Sequence, residues 1–258
     1  KDFEQRKEET VEELCKLMKK ILRPENFMIS YTGERESMET VQKLAGAVKA
    51  GLGTEPVEKS EEKLTCTKKN EGFKTSGQVQ YVAQTGNFKK KGLEYTGALE
   101  ILKVILSYDY LWQNIRVKGG AYGCMSGFSR TGEGYFVSYR DPNLERTMEV
   151  YEGIADYLRK FTVSDRDMNK YIIGTMSNID QPMTPSAKGD RSFNLYMNKV
   201  SAETIKKERL QILEAGQEDI RKLADVVEAV MKAEQVCVIG SEEKIEEAKD
   251  MFKNVTTF

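Results

Sequence analysis

Apolar residues recur at helical spacing from the start of the chain. Over residues 3–22 one stripe predicts an amphipathic helix: Phe3, Val11, Leu14, Leu17, Met18, Ile21 and Leu22. The short apolar segment Asn26–Thr32 (NFMISYT) predicts a strand. A second amphipathic helix begins near Ser37, and Gly51 and Gly53 end it.

The middle of the chain has the pattern of a sheet. Residues 53–63 (GTEPVEKSEEK) are polar and contain Pro, which predicts a linker. Leu64–Lys69 is a plausible first strand, and apolar and polar residues alternate over Gln78–Gln84, which predicts a second.

A helix, a glycine-rich loop and a hairpin follow. Apolar residues at helical spacing predict a helix over Tyr95–Tyr108 and a short second helix over Asp109–Val117. After the loop, Tyr122–Phe128 and Gly134–Arg140 predict two antiparallel strands joined by the turn SRTGEG.

The remainder is mostly helical. Ser164, followed by Asp167 three residues later, predicts a helix start, whereas two Pro and a Gly at 181–190 predict a break. Helices are predicted over Asn143–Phe161, 165–179, about 190–199, 202–214, 217–232 and 240–252, with a strand at Gln235–Ile239.

The end of the chain repeats a pattern from its beginning. Residues 26–48 and 234–255 both read as a strand, a Gly turn and an acidic amphipathic helix. Two independent strand–helix units would give the same pattern. The repeat predicts that residues 1–52 are the end of one domain and that residues 64–258 form a second domain of similar design. Residues 53–63 are the predicted linker between them. The predicted class is α+β in two layers, with a mainly antiparallel sheet and helices packed on it.

The net charge, the cysteines and the absence of His each exclude or favour particular classes of function. The chain has 258 residues, a net charge of −1, and acidic residues interspersed with basic ones, so neither nucleic acid nor a membrane is an expected partner. The four cysteines are scattered in apolar segments and predict buried, reduced thiols and a reducing, cytoplasmic compartment. The chain has no His, which excludes a self-contained His-based hydrolase within these residues.

The glycine-rich loop VKGGAYG does not fit a phosphate site. It follows a helix and precedes a strand, the reverse of the order in nucleotide-binding loops. With 41 acidic residues in the chain, closely spaced carboxylates occur by chance, and no pair stands out as a catalytic pair. A Ser-His-Asp triad is excluded because the chain has no His.

Two side chains near this loop remain as candidates. Arg116 has a structural explanation, since a cation near a helix C-terminus complements the helix dipole. Tyr122 has one too, as a half-buried strand aromatic. A functional explanation requires both to face one cleft, and Gly119, Gly120 and Gly123 would let a bound chain approach the backbone.

LWQNIRVKGGAYGCMSGF and YFVSYRDPNLERTMEVYEG resemble the C-terminal part of the pitrilysin/insulinase-type zinc metallopeptidases, most closely the presequence-protease branch. The resemblance extends from about Gly77 to Phe258, and ENFMISYTG looks like the end of that family's preceding domain. It implies a metallohydrolase-like domain of the pitrilysin and mitochondrial processing peptidase type.

The resemblance also implies a role for the two candidates. Members of the family have four related domains in two halves around a peptide-sized chamber, and zinc is held in the first domain by an inverted His-x-x-Glu-His motif. This chain has no such motif. An Arg and a Tyr of the last domain reach the substrate near the zinc, and Arg116 and Tyr122 match them.

The expected function is therefore the non-catalytic C-terminal portion of a zinc metalloendopeptidase that degrades unfolded peptides. The expected partners are a peptide substrate and the N-terminal half of the same polypeptide. This chain is expected to hold no cofactor, and the full-length enzyme is expected to hold Zn. The alternative is an inactive scaffold subunit of the same family that acts through assembly with partners.

Overall fold

The computed structural model describes residues 2–57 and 69–257. Its regular elements in chain order are α1 (Phe3–Ile21), α2 (Met38–Ala50), β1 (Glu71–Thr75), β2 (Gln80–Asn87), α3 (Ala98–Ile105), β3 (Gly123–Phe128), β4 (Glu133–Asp141), α4 (Glu145–Glu152), α5 (Ile154–Arg159), α6 (Asp165–Ile179), α7 (Pro185–Met197), α8 (Ala202–Leu213), α9 (Gln217–Lys222), α10 (Ala224–Met231), β5 (Gln235–Ser241), α11 (Glu242–Glu247) and β6 (Asn254–Thr257). Two π-helical segments, Leu106–Tyr110 and Trp112–Val117, extend α3.

The chain divides into two units. The first comprises the described parts of Lys1–Thr65 together with Pro182–Ser201, and the second those of Cys66–Gln181 and Ala202–Phe258. Most of the predicted linker at 53–63, and the predicted strand Leu64–Lys69 except its last residue, lie outside the described residues.

The first unit contains α1, α2 and α7. Its two N-terminal helices form as predicted, but they bury no side chain, and the apolar stripe of α1 is about half exposed. The predicted strand at Asn26–Thr32 is wrong. Phe27 has extended dihedral angles, yet no described strand pairs with this segment, and a strand needs a partner ladder for its backbone N–H and C=O groups. Of the two similar segments, only the later one therefore has its strand, β5, followed by α11.

The second unit is built on a six-stranded sheet in the order β3-β4-β2-β5-β1-β6. The β3–β4, β4–β2 and β2–β5 pairs are antiparallel, and the β5–β1 and β1–β6 pairs are parallel. The α+β class with a mainly antiparallel sheet is confirmed.

The two faces of the sheet differ in burial. One face packs on helices through apolar side chains such as Val82, Phe136 and Val238, all inaccessible to solvent. The other, which we call the open face, carries exposed side chains: Tyr81, Met125, Tyr135, Tyr139 and Ile239. The period-2 alternation of these strands separates the two sets.

Several boundaries differ from the predictions. The helices predicted at Tyr95–Tyr108 and Asp109–Val117 form one continuous helical run, because no Gly or Pro interrupts residues 98–117. The helix predicted over Asn143–Phe161 is divided at Gly153, where a Cβ would lie 2.4 Å from the hydroxyl of Tyr110. The helix predicted near 190–199 is α7, which begins inside the predicted break, with Pro185 in its first turn and the Thr184 hydroxyl accepting from the N–H of Ala187. The final strand β6 was not predicted.

Candidate substrate-binding site

The helix before the glycine loop ends in widened turns. In the segment Trp112–Val117 the N–H of Lys118 donates to the carbonyl of Gln113, five residues earlier, at 3.0 Å. The side-chain amide of Asn114 donates to the carbonyl of Tyr110 at 2.8 Å, inside the widened region. Such π-helical turns are frequent at functional sites, and here the second one contains the candidate Arg116.

Arg116 is exposed on this terminal turn. Its guanidinium lies over the ring of Trp112, 4.2 Å from the ring centroid, in a cation–π contact. It pairs with no carboxylate in the described part of the chain. The ring of Trp112 orients the planar guanidinium and leaves its N–H donors available to a ligand. The guanidinium does not cap the carbonyls at the helix end.

The buried carboxylate of Asp141 anchors the glycine loop through Asn143. Asp141, at the end of β4, is fully buried, and its carboxylate accepts from the N–H of Asn143 at 2.9 Å and from the hydroxyl of Thr147 at 2.7 Å. The side-chain amide of Asn143 in turn donates to the carbonyl of Gly119 at 2.6 Å. Asp141 therefore anchors the loop and does not cap α4, whose N-cap is Leu144.

The three glycines differ in what they require. A Cβ at Gly119 would lie 2.3 Å from the carbonyl oxygen of Ile115, and Gly120 has φ +80°. A Cβ at Gly123 would meet nothing within 4 Å. Gly119 and Gly120 are thus required by the backbone path of the loop, whereas Gly123 leaves open space beside β3.

We therefore expect Gly119→Ala and Gly120→Ala each to lower the free energy of unfolding by about 1–3 kcal/mol, through the clash and the strain respectively. Gly123→Ala is the matched control and should change it by less than about 0.5 kcal/mol. Denaturant unfolding followed by fluorescence of Trp112, the chain's single tryptophan, measures all three. Equal losses at Gly119 and Gly123 would contradict this account of the loop.

Tyr122 lies directly before β3, with its backbone anchored and its side chain in solvent. Its N–H donates to the carbonyls of both Tyr139, at 3.1 Å, and Arg140, at 3.3 Å. The side chain is 66% exposed, its ring meets that of Tyr139 edge-on at 5.7 Å, and the guanidinium of Arg140 lies 6.0 Å from its centroid. The hydroxyl donates to no group among the described residues, so it is available to a ligand.

Arg116 and Tyr122 thus flank one anchored loop, both exposed. Arg116 is on the last helical turn and Tyr122 directly precedes β3. The N–H groups of Gly120 and Ala121 in the loop donate to the carbonyls of Arg116 and Ile115. Sequence reasoning did not single out Trp112, Tyr139 or Arg140 beside them. The alternation of apolar and polar residues in YFVSYRD would have predicted that Tyr139 lies on the open face. Nothing in that pattern predicts that Arg140 lies near Tyr122.

Cys124, beside the candidate site in sequence, is not suited to nucleophilic chemistry. Burial raises the pKa of the Cys124 thiol to about 11, an effect that Arg116 opposes and Asp141 reinforces, so the thiol is protonated at neutral pH. Cys124 and Cys237 are partly buried and free. The prediction of a buried thiol is wrong for Cys15, which is exposed because α1 buries none of its residues. Cys66 lies outside the described residues.

The part of the chain that the structure describes contains neither a potential metal cluster nor a potential membrane-spanning helix. Among residues 2–57 and 69–257 no group of three or more His, Cys, Asp and Glu could hold a metal ion. Over the same residues no helix is long and apolar enough to cross a lipid bilayer.

The sheet and its helical layer define a domain of the pitrilysin peptidase fold. The crystal structure of pitrilysin superposes with a TM-score of 0.54 over 78% of this chain and 22% of that one, at 14% identity. At this identity the likeness concerns the fold alone. The family of PreP C-terminal domains matches residues 70–243, and the chain belongs to that family.

Two curated relatives are similar to this chain. Protein HypA of Clostridium perfringens (strain 13 / Type A) is 42% identical over 252 residues, which are 98% of this chain and 26% of that protein. Presequence protease 1, chloroplastic/mitochondrial, of Arabidopsis thaliana is 33% identical over 187 residues, 72% of this chain and 17% of that protein. The chain thus spans about a quarter or less of the length of these relatives.

Proposed function

We propose that this chain is the non-catalytic C-terminal portion of a zinc metalloendopeptidase that degrades unfolded peptides. In that role it supplies groups that bind substrate and stabilise the transition state. The observation that carries the proposal is the pair of exposed, unengaged donors, Arg116 and Tyr122, on the two sides of an anchored loop. Membership of the PreP C-terminal domain family and the similarity to a presequence protease support it.

Peptide hydrolysis forms a tetrahedral intermediate with a new oxyanion. A phenol hydroxyl and a guanidinium can both donate hydrogen bonds to an oxyanion, and the guanidinium also carries a positive charge, so both stabilise the developing negative charge more than a neutral carbonyl. Arg116 can donate two parallel N–H groups to backbone oxygens of the peptide, which fixes its register. Tyr122 can donate its hydroxyl to the reacting carbonyl. The buried Asp141–Asn143 support keeps the intervening loop from moving as charge develops.

The described residues of this chain do not fit a catalytic zinc. The chain has no His, and the described residues contain no cluster of carboxylates and thiols able to take its place. The zinc site and the attacking water therefore belong, in this proposal, to the N-terminal half of the full-length polypeptide.

The chain on its own should bind no catalytic zinc and cleave no peptide, because it lacks the metal ligands. Zinc content after dialysis and cleavage of an unstructured peptide, with the full-length protein as control, test this. Activity of the isolated chain would overturn the division of roles.

An inactive scaffold subunit is the competing proposal for the same family. It makes no use of Arg116 or Tyr122. A His-x-x-Glu-His segment upstream of Lys1 in the full-length protein would favour the enzyme, and loss of peptidase activity on changing these two side chains would exclude the scaffold.

A further inference from the structure

The strand that carries Tyr139 has a bulge beside Tyr122. In the β2–β4 ladder Gln80 is opposite Asp141 and Val82 is opposite Ser138, so the two residues Tyr139 and Arg140 share the place opposite the single residue Tyr81. Arg140 has φ 49°, a left-handed conformation that is rare for residues other than glycine. Bulges of this kind redirect a side chain and are frequent near active sites.

The bulge has a specific effect here. In a regular strand successive side chains point to opposite faces, so Arg140 would turn toward the helices. Instead Tyr139 and Arg140 are both exposed, and the guanidinium of Arg140 lies beside the ring of Tyr122. The bifurcated hydrogen bond from the N–H of Tyr122 to the carbonyls of both residues holds this arrangement in place.

Arg140 has no carboxylate partner in the described chain. Arg130, by comparison, binds Glu208 through two hydrogen bonds at 2.8 and 2.5 Å, and Arg209 binds Asp180 in the same way at 2.5 and 2.9 Å. Among the described residues the guanidinium groups of Arg116 and Arg140 form no ion pair, and each lies near an aromatic ring.

The surroundings of Tyr122 are therefore cationic. The guanidinium of Arg140 lies beside its ring, and Arg116 and Lys118 are exposed at the other end of the glycine loop. The acidic residue next to Arg140, Asp141, is buried, and both of its carboxylate oxygens accept hydrogen bonds. A guanidinium held by an aromatic ring, with its fork of N–H groups unpaired, is suited to a carboxylate.

We propose that Arg140 binds a carboxylate of the peptide, from an acidic side chain or from the peptide's C-terminus, and so selects among substrates. The inference rests on the proposed function, because the ligand is the peptide that Arg116 and Tyr122 would bind. It assigns Arg140 to recognition and gives it no part in the chemical step.

The test is equilibrium binding to the full-length protein, with a metal chelator present so that the peptide stays intact. One unstructured peptide sequence is made in four forms, with either Glu or Gln at one position and with either a free or an amidated C-terminus. The variants are Arg140→Asn, which suits the left-handed backbone, and Arg140→Lys, which keeps the charge without the fork. Arg146→Asn, at an exposed arginine of α4, is the matched control.

The wild type should bind the carboxylate-bearing form about five- to tenfold more tightly than its neutral counterpart, as for one exposed charge-assisted contact. Arg140→Asn should remove that preference and leave the Kd of the neutral peptide unchanged. Arg140→Lys should restore part of it, and Arg146→Asn should retain all of it. Whether Glu or the free C-terminus carries the preference identifies the source of the carboxylate.

Two results would overturn the inference in distinguishable ways. If all four peptides bind equally well to the wild type, or if Arg140→Asn weakens the charged and neutral peptides alike, the assignment of Arg140 is wrong and the proposed function stands. If no peptide binds to the full-length protein, the proposed function fails and this inference fails with it.

Discussion

Tyr122→Phe in the full-length protein is expected to lower kcat for peptide cleavage by about two to three powers of ten, the usual effect of losing one oxyanion donor. Only a hydroxyl is removed. The ring contact with Tyr139 and the backbone bonds from the N–H of Tyr122 do not involve it, so the melting temperature should stay unchanged. The measurement is kcat and KM on a fluorogenic peptide, with KM expected to change much less than kcat.

Tyr108→Phe is the matched control, since Tyr108 is 68% exposed and lies on the π-helical segment away from the loop. Its rate should equal that of the wild type. If Tyr122→Phe also keeps the wild-type rate, the hydroxyl has no role in the reaction and Tyr122 is an ordinary strand aromatic.

Arg116→Lys is expected to reduce kcat/KM by about ten- to a hundredfold, the cost of one or two charge-assisted hydrogen bonds. The charge is kept, but an ammonium cannot present two parallel donors, and it stacks less well on the ring of Trp112. Steady-state kinetics with the same peptide measure the loss.

The control for this change is Arg166→Lys, at an exposed arginine in the first turn of α6. A loss of the same size at Arg166 would point to a general effect of charge on the fold. Full activity in Arg116→Lys would mean that a point charge suffices, and the proposed bidentate contact with the peptide backbone would then be wrong.

Local signals accounted for much of the second unit. Ser164 caps α6 as predicted, with its hydroxyl accepting from the N–H of Asp167, and the hairpin β3–β4 forms around the predicted turn. The failures share a cause. The segment Asn26–Thr32 has strand composition but no partner strand, whereas β6, with four exposed residues, is a strand only because β1 lies beside it. Pairing of distant strands is not encoded in a local window.

The same limit applies to the candidate site. The sequence indicated Arg116 and Tyr122 as candidates because the loop between them has a specific pattern and its glycines indicated an unusual backbone. It did not indicate Arg140, because a bulge depends on the register between β2 and β4, and the strand pattern predicts the opposite face for this residue. Arg116 stacks on Trp112 within the widened helical turns of Trp112–Val117. No residue in this segment predicts from sequence that its turns are π-helical.

The order of strands has a consequence for how the chain acquires its structure. β1 pairs only with β5 and β6 among the described strands, so Phe73 meets Ile239 and Thr256 after almost the entire second unit has been made. The hairpin and its helices can form early from near neighbours, while closure of this half of the sheet waits for the C-terminal segment. Such long-range parallel pairing is slow. During synthesis β1 would remain an unpaired strand, exposed to association with other chains until β5 and β6 have been synthesised.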